Sequence, residues 1–84
     1  MSNASINSLA RIRSRLPNLA AAERQVADWI LQHSEEVVQS SMAQVALECG
    51  VSDTTVLRFC RAAGFKGYMD LKLFVARDMA SPTQ

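Results

Sequence analysis

The chain has 84 residues, 49 % of them apolar, and a formal net charge of +1. That is the size of one small domain with a single modest core. It is too apolar for a disordered chain, and no apolar run is long enough to span a bilayer. Met1–Ser5 is polar and no hydrophobic segment follows it, so no secretory signal and a cytoplasmic protein are expected. Cys49 and Cys60 are separated by ten residues. That is neither a CxxC nor a zinc spacing, which points to two buried, reduced thiols and to no metal.

Met1–Ser5 reads as a tag-like or disordered lead-in, and the folded unit is expected over residues 6–80. A first helix is predicted from Ile6 to Arg15, with Ile6, Leu9 and Ile12 at helical spacing and Leu16 after them. Arg11, Arg13 and Arg15 fall mostly on its other side, where meeting phosphate and keeping the helix soluble are both open to them, and solubility is the role expected. Pro17 and Asn18 break the pattern. A second helix is predicted from Ala20 or Ala21 to about His33, with an apolar stripe of Leu19, Ala22, Val26, Trp29 and Ile30. An indole between Val26 and Ile30 belongs to the core rather than to a stacked base. His33 has no second histidine or nearby cysteine with which to bind metal. In Ser34–Val38, Ser34 is expected to cap a short helix, Glu35 and Glu36 to sit at its positive end, and Val37 and Val38 to pack.

The stretch SMAQVALECGVSDTTVLRFCR, residues 41–61, predicts two short helices joined by a tight turn. Ser41 and Gln44 have the spacing of a capping box. Gly50 stands where a helix ends in a left-handed residue, and Ser52 caps the helix that follows, with Asp53 in its first turn. That second helix is expected to run to about Ala63 and stop at Gly64. Val45, Ala46, Cys49, Val51, Val56 and Phe59 can then meet between the two helices, the small Ala46 allowing a close crossing. This is a helix-turn-helix. Ser52, Thr54, Thr55, Leu57, Arg58 and Arg61 are left pointing largely outward.

After the motif, Phe65 is expected to fold back on the core and Lys66 to stay exposed. The last helix should start at Gly67 or its neighbour, with Asp70 near its positive end and an inward stripe of Tyr68, Leu71, Phe74 or Val75, and Met79. Lys72 and Arg77 stay wet. Residues 81–84 read as a helix stop and the start of a linker. Charge is unevenly spread: the middle is acidic, whereas Thr54 to Arg77 carries Arg58, Arg61, Lys66, Lys72 and Arg77 against Asp70. A near-neutral total can therefore hide one basic face, and DNA responds to the local field.

The run SSMAQVALECGVSDTTVLRFCRAAGFKGYMDLKLFVA, preceded by LAAAERQVADWIL and HSEEVVQSS, resembles the N-terminal DNA-binding domain of RpiR-type bacterial transcription regulators. The likeness runs from about Leu19 to Ala76, and VLRFCRAAGFKGYMDLK is its most specific part. It implies an all-α fold: a small bundle with extra helices before the helix-turn-helix and one after it. It also implies a C-terminal sugar isomerase domain that binds phosphosugars, so residues 81–84 would begin the linker to a domain absent here. Ala20 departs from the pattern, because relatives often carry a Ser or Thr cap there.

The function expected is sequence-specific DNA binding within a regulator of sugar or central carbon metabolism. Thr54, Thr55 and Arg58 are the candidate base readers, and Arg can grip guanine bidentately. Ser52, Arg61 and Lys66 are candidate phosphate contacts that set register. More modest roles compete: a helix cap alone for Ser52, ordinary first-turn solvation for Thr54 and Thr55, and an ion pair with Glu48 or Asp53 for Arg58. One module makes few contacts, so a homodimer on paired half-sites of a double-stranded operator is expected in the full protein. The alternative is a helical protein-interaction module. An enzyme is not expected: there are no paired carboxylates in an apolar setting, no Gly-rich phosphate loop and no nucleophile for His33. No cofactor and no membrane contact are expected.

Overall fold

A computed structural model describes residues 8–80, and over that range regular structure is entirely helical. Ile6, the lead-in and residues 81–84 lie outside the described residues. The elements are α1 (Ser8–Arg15), a 3-10 turn (Leu16–Asn18), α2 (Ala21–Gln32), α3 (Ser34–Gln39), α4 (Met42–Cys49), α5 (Asp53–Ala62) and α6 (Tyr68–Ala80). Helix α2 lies against both α4 and α5. Helix α6 packs on α3 and α1 and returns to α5.

The two motif helices begin and end with the same devices. At the start of α4, Ser41 Oγ accepts from the Gln44 amide at 3.1 Å while Gln44 Oε1 accepts from the Ser41 amide at 3.3 Å. At its end Gly50 has φ +70°, and the Val51 and Gly50 amides donate to the Ala46 and Leu47 carbonyls. Helix α5 repeats this plan. Ser52 Oγ accepts from the Thr55 amide, Gly64 has φ +95°, and the Phe65 and Gly64 amides donate to Cys60 and Arg61. Each end is a Schellman closure, which needs a left-handed residue that glycine adopts at little cost.

The fully buried side chains are led by Phe59, Ile12, Ile30 and Leu71, with Val26, Val37, Val45, Val56, Val75 and Cys60 around them. Each large apolar group here contributes roughly 1.5–3 kcal/mol by leaving water. Val45, Ala46, Val56 and Phe59 are buried as expected, and Cys49 and Val51 are half-buried beside them. Phe65 folds inward, 3 % exposed. Burial pushes the Cys60 thiol up to about 12, with the nearby Asp70 charge adding to the effect. It is a neutral packing group rather than a nucleophile.

Four expectations need correction. Ser34 does not cap α3: it is the helix's first residue, and His33 occupies the cap position without a side-chain bond. His33 is held instead by α2, where its ring stacks on Trp29 at 4.7 Å and its Nδ1 lies 2.9 Å from the Trp29 carbonyl. The buried arc of α2 is rotated, so that Ala27 is buried and Ala22 is exposed. A small residue on the buried side suits a helix that lies close against both α4 and α5. Trp29 is half-buried at the edge of that arc. Met79 is 40 % exposed, because Tyr68, Leu71 and Val75 carry the inward face of α6. Leu57 is half-buried rather than outward, its Cδ1 lying 3.9 Å from where a Cβ on Gly67 would sit. At Ala20, only half a capping box forms: Glu23 Oε1 accepts from the Ala20 amide at 3.2 Å, and alanine returns nothing.

Tyr68 ties α6 to the entrance of the motif. Its hydroxyl donates toward the Ser40 carbonyl at 2.6 Å and the Val37 carbonyl at 3.1 Å. Burial pushes the phenol up to about 12, so it stays a donor throughout the physiological range. Tyr68→Phe keeps the ring and deletes the hydroxyl, and it is expected to cost about 1–3 kcal/mol in urea denaturation, since buried carbonyls lose a donor.

Candidate nucleic-acid interface

Residues of α5 divide cleanly by helical phase. Val56, Phe59, Cys60 and Ala63 are buried, while Thr54, Arg58, Arg61 and Ala62 are exposed. The turn geometry at Gly50 and the Ser52 cap set where this helix begins, and therefore which way each side chain points. Thr54 and Arg58 are four residues apart and Arg61 lies three further on, so all three share one stripe.

Of the six candidate residues, the structure brings Ser52, Thr54, Arg58 and Arg61 onto the exposed side of α5. Thr55 is turned to the flank and half-buried, its hydroxyl 3.1 Å from Ser52 Oγ. Ser52 is thus a genuine cap as well as an exposed hydroxyl. Lys66 is exposed in the α5–α6 loop, where its amide donates to Asp70 Oδ2 at 2.9 Å and fixes the loop against the start of α6. Arg58 forms no ion pair with Glu48 or Asp53. Glu36 instead lies 3.9 Å from His33 Nε2. The guanidinium of Arg58 is therefore uncommitted.

Two arginines expected mainly to solubilise α1 have specific partners. Arg11 Nη1 donates to the Gly64 carbonyl at 3.2 Å, and Arg15 Nη1 donates to the Ala62 carbonyl at 3.0 Å. The Arg11 guanidinium also lies over the Phe65 ring at 4.7 Å and the Phe74 ring at 5.5 Å. These arginines are not merely solubilising. They satisfy carbonyls at the C-terminus of α5 that the Schellman bonds leave open, and they place positive charge at the negative pole of that helix. The spacing of Arg11 and Arg15, one helical turn apart, was visible in the sequence. Their target was not.

Among the described residues no group of three or more His, Cys, Asp or Glu side chains could hold a metal, and no helix is long and apolar enough to cross a membrane. The arrangement of a capped, glycine-closed helix pair with one uncommitted polar stripe matches a known family over almost its whole length. The description "Helix-turn-helix domain, rpiR family" fits residues 6–82. The chain belongs to the RpiR family of helix-turn-helix domains.

Its relatives agree. The RpiR-family chain is 42 % identical over 78 residues to the HTH-type transcriptional regulator HexR of Escherichia coli K12, covering 93 % of this chain and 27 % of that protein. The crystal structure of the N-terminal domain of the transcriptional regulator ybbH from Bacillus subtilis superimposes with a TM-score of 0.85 at 37 % identity, covering 93 % of this chain and 95 % of that one. The Vibrio vulnificus NanR protein, solved in complex with ManNAc-6P, gives the same TM-score of 0.85 at 35 % identity, over 88 % of this chain and 28 % of NanR. The RpiR-family chain thus spans about a quarter of the length of the curated relatives it matches.

Proposed function

We propose that this domain binds double-stranded DNA by inserting α5 into the major groove, as the DNA-binding part of a cytoplasmic bacterial transcription regulator. The observation that carries the reading is the uncommitted stripe Thr54–Arg58–Arg61, exposed on a helix whose opposite side is wholly buried. Thr54 and Arg58, with Thr55 at the flank, read base edges; Ser52, Arg61 and Lys66 meet the backbone and set register. Residues 6–80 are the DNA-binding unit, and residues 81–84 open the connection to an effector domain.

The regulated processes belong to sugar or central carbon metabolism, and a phosphosugar is the effector of that further domain. The observation that supports this is the structure of the related NanR in complex with ManNAc-6P. The regulator works as a homodimer. Half-sites lie about 34–36 Å apart along a duplex. The domain measures 37 × 27 × 21 Å, so two copies fit side by side at that spacing.

The test is selection of bound sequences from random duplex DNA, followed by binding to the selected duplex across a salt series. An enriched motif with affinity falling at a slope of about −0.9 per neutralised phosphate is expected. No enrichment, together with salt-insensitive capture of a protein partner, would instead favour a protein-interaction module.

A further inference from the structure

The arginines of α1 have more donors than their protein partners use. A guanidinium offers five N–H groups. Arg15 spends Nη1 on the Ala62 carbonyl, and its Nη2 comes within 3.4 Å of where a Cβ on Gly64 would sit. Arg11 Nη1 lies 3.7 Å from the same point. Two guanidinium groups therefore crowd one glycine. No carboxylate pairs with either of them among the described residues. Like charges gathered without a counter-ion cost energy unless an anion joins them.

The position of this pair relates it to the reading stripe. Ala62 lies four residues beyond Arg58 and eight beyond Thr54, so it continues the same side of α5. Eight residues of helix rise about 12 Å, while the major groove is about 12 Å wide and about 8.5 Å deep. With Thr54 at the floor of the groove, the Ala62 end stands at its phosphate wall. A bare helix C-terminus would bring its negative pole to that wall. Here the pole is covered by Arg15, which is exposed, with Arg61 next to it in sequence.

We propose that Arg15 is a phosphate contact of the DNA interface, its guanidinium bridging the Ala62 carbonyl and the DNA backbone. Helix α1 thereby belongs to the binding surface as well as to the scaffold. The inference rests on the DNA-binding reading above. It adds a contact outside the helix-turn-helix and assigns it a sequence-independent role.

The experiment compares four proteins: the full 84-residue chain unaltered, Arg15→Gln, Arg15→Lys and Arg13→Gln. Each is titrated with a duplex selected from random DNA and with an unrelated duplex of equal length, over a salt series, and each is melted by circular dichroism. Arg13 is exposed and two residues away, on the far side of α1, so its variant removes the same charge without touching α5. Arg15→Gln is expected to bind both duplexes roughly tenfold more weakly and to flatten the salt slope by about 0.9. Arg15→Lys is expected to keep the slope, and Arg13→Gln to change neither quantity.

An unaltered chain that binds no DNA would sink the function itself. Binding by that chain with Arg15→Gln unchanged would overturn the contact alone. A loss confined to the selected duplex, with the slope intact, would make Arg15 a positioning residue for α5 and overturn the proposal too. Equal losses from Arg13→Gln and Arg15→Gln would reduce the effect to a general field. If Arg15→Gln melts before binding can be measured, Arg15→Lys decides: a flattened slope in that variant, which keeps the charge, would count against the contact.

Discussion

Phe59→Ala is expected to destabilise the domain by about 3–5 kcal/mol, the largest single effect available in this chain. Phe59 is 0 % exposed and heads the fully buried side chains. It sits in the middle of α5, the helix that α2, α4 and α6 all touch. Truncating it opens a cavity where these helices meet, and a core this small has few neighbours able to collapse into the gap. Domains carry roughly 0.05–0.15 kcal/mol of stability per residue, so the loss is a large part of the whole. At about 4–8 °C per kcal/mol for this size class, the thermal midpoint falls by tens of degrees. Circular dichroism melts measure it directly. A variant melting within a few degrees of the parent would mean that α5 is rotated from the orientation described, and the outward stripe would move with it.

The largest functional effect is expected from Arg58→Ala. Arg58 is exposed, has no ion pair among the described residues, and lies on the stripe with Thr54. A bidentate arginine–guanine contact supplies about 1–3 kcal/mol of discrimination. Removing it is therefore expected to weaken binding to a selected duplex about tenfold or more, while binding to unrelated DNA falls far less. The thermal midpoint should stay nearly fixed, because no intramolecular bond is lost. Fluorescence anisotropy against both duplexes separates these outcomes. An unchanged ratio of selected to unrelated affinity would remove Arg58 from the base-reading set. Phe59→Ala and Arg58→Ala are adjacent in sequence yet opposite in kind, so together they report which way the helix faces.

How much of this was legible beforehand depended on how far each interaction reaches along the chain. The Ser41–Gln44 box, the Ser52 cap and the glycines at 50 and 64 were all readable, because each acts within a few residues of itself. The buried side of α5 was readable for the same reason, since its period is written in one segment. Ala22 and Ala27 were not separable: both are small, and only the packing of distant helices against α2 decides which of them faces in. Met79 looked inward by spacing, but Tyr68, Leu71 and Val75 already carry the face that meets α3 and α1. Ser34 had the composition of a cap, yet His33, locked onto Trp29, holds that position. The exposed stripe could be placed from sequence, while the carbonyl partners of Arg11 and Arg15 could not. No local pattern announces a bond to a helix end in the other half of the chain.

That last bond has a bearing on how the domain is made. Arg11 and Arg15 precede the carbonyls they hold by 53 and 47 residues. They emerge from the ribosome first and wait for most of the domain to follow. Entropic closure over that span grows only slowly with length, so the delay is a matter of order rather than of stability. Any growing chain long enough to wind α5 through Gly64 already carries both arginines, so the exit of that helix can be closed as soon as it appears.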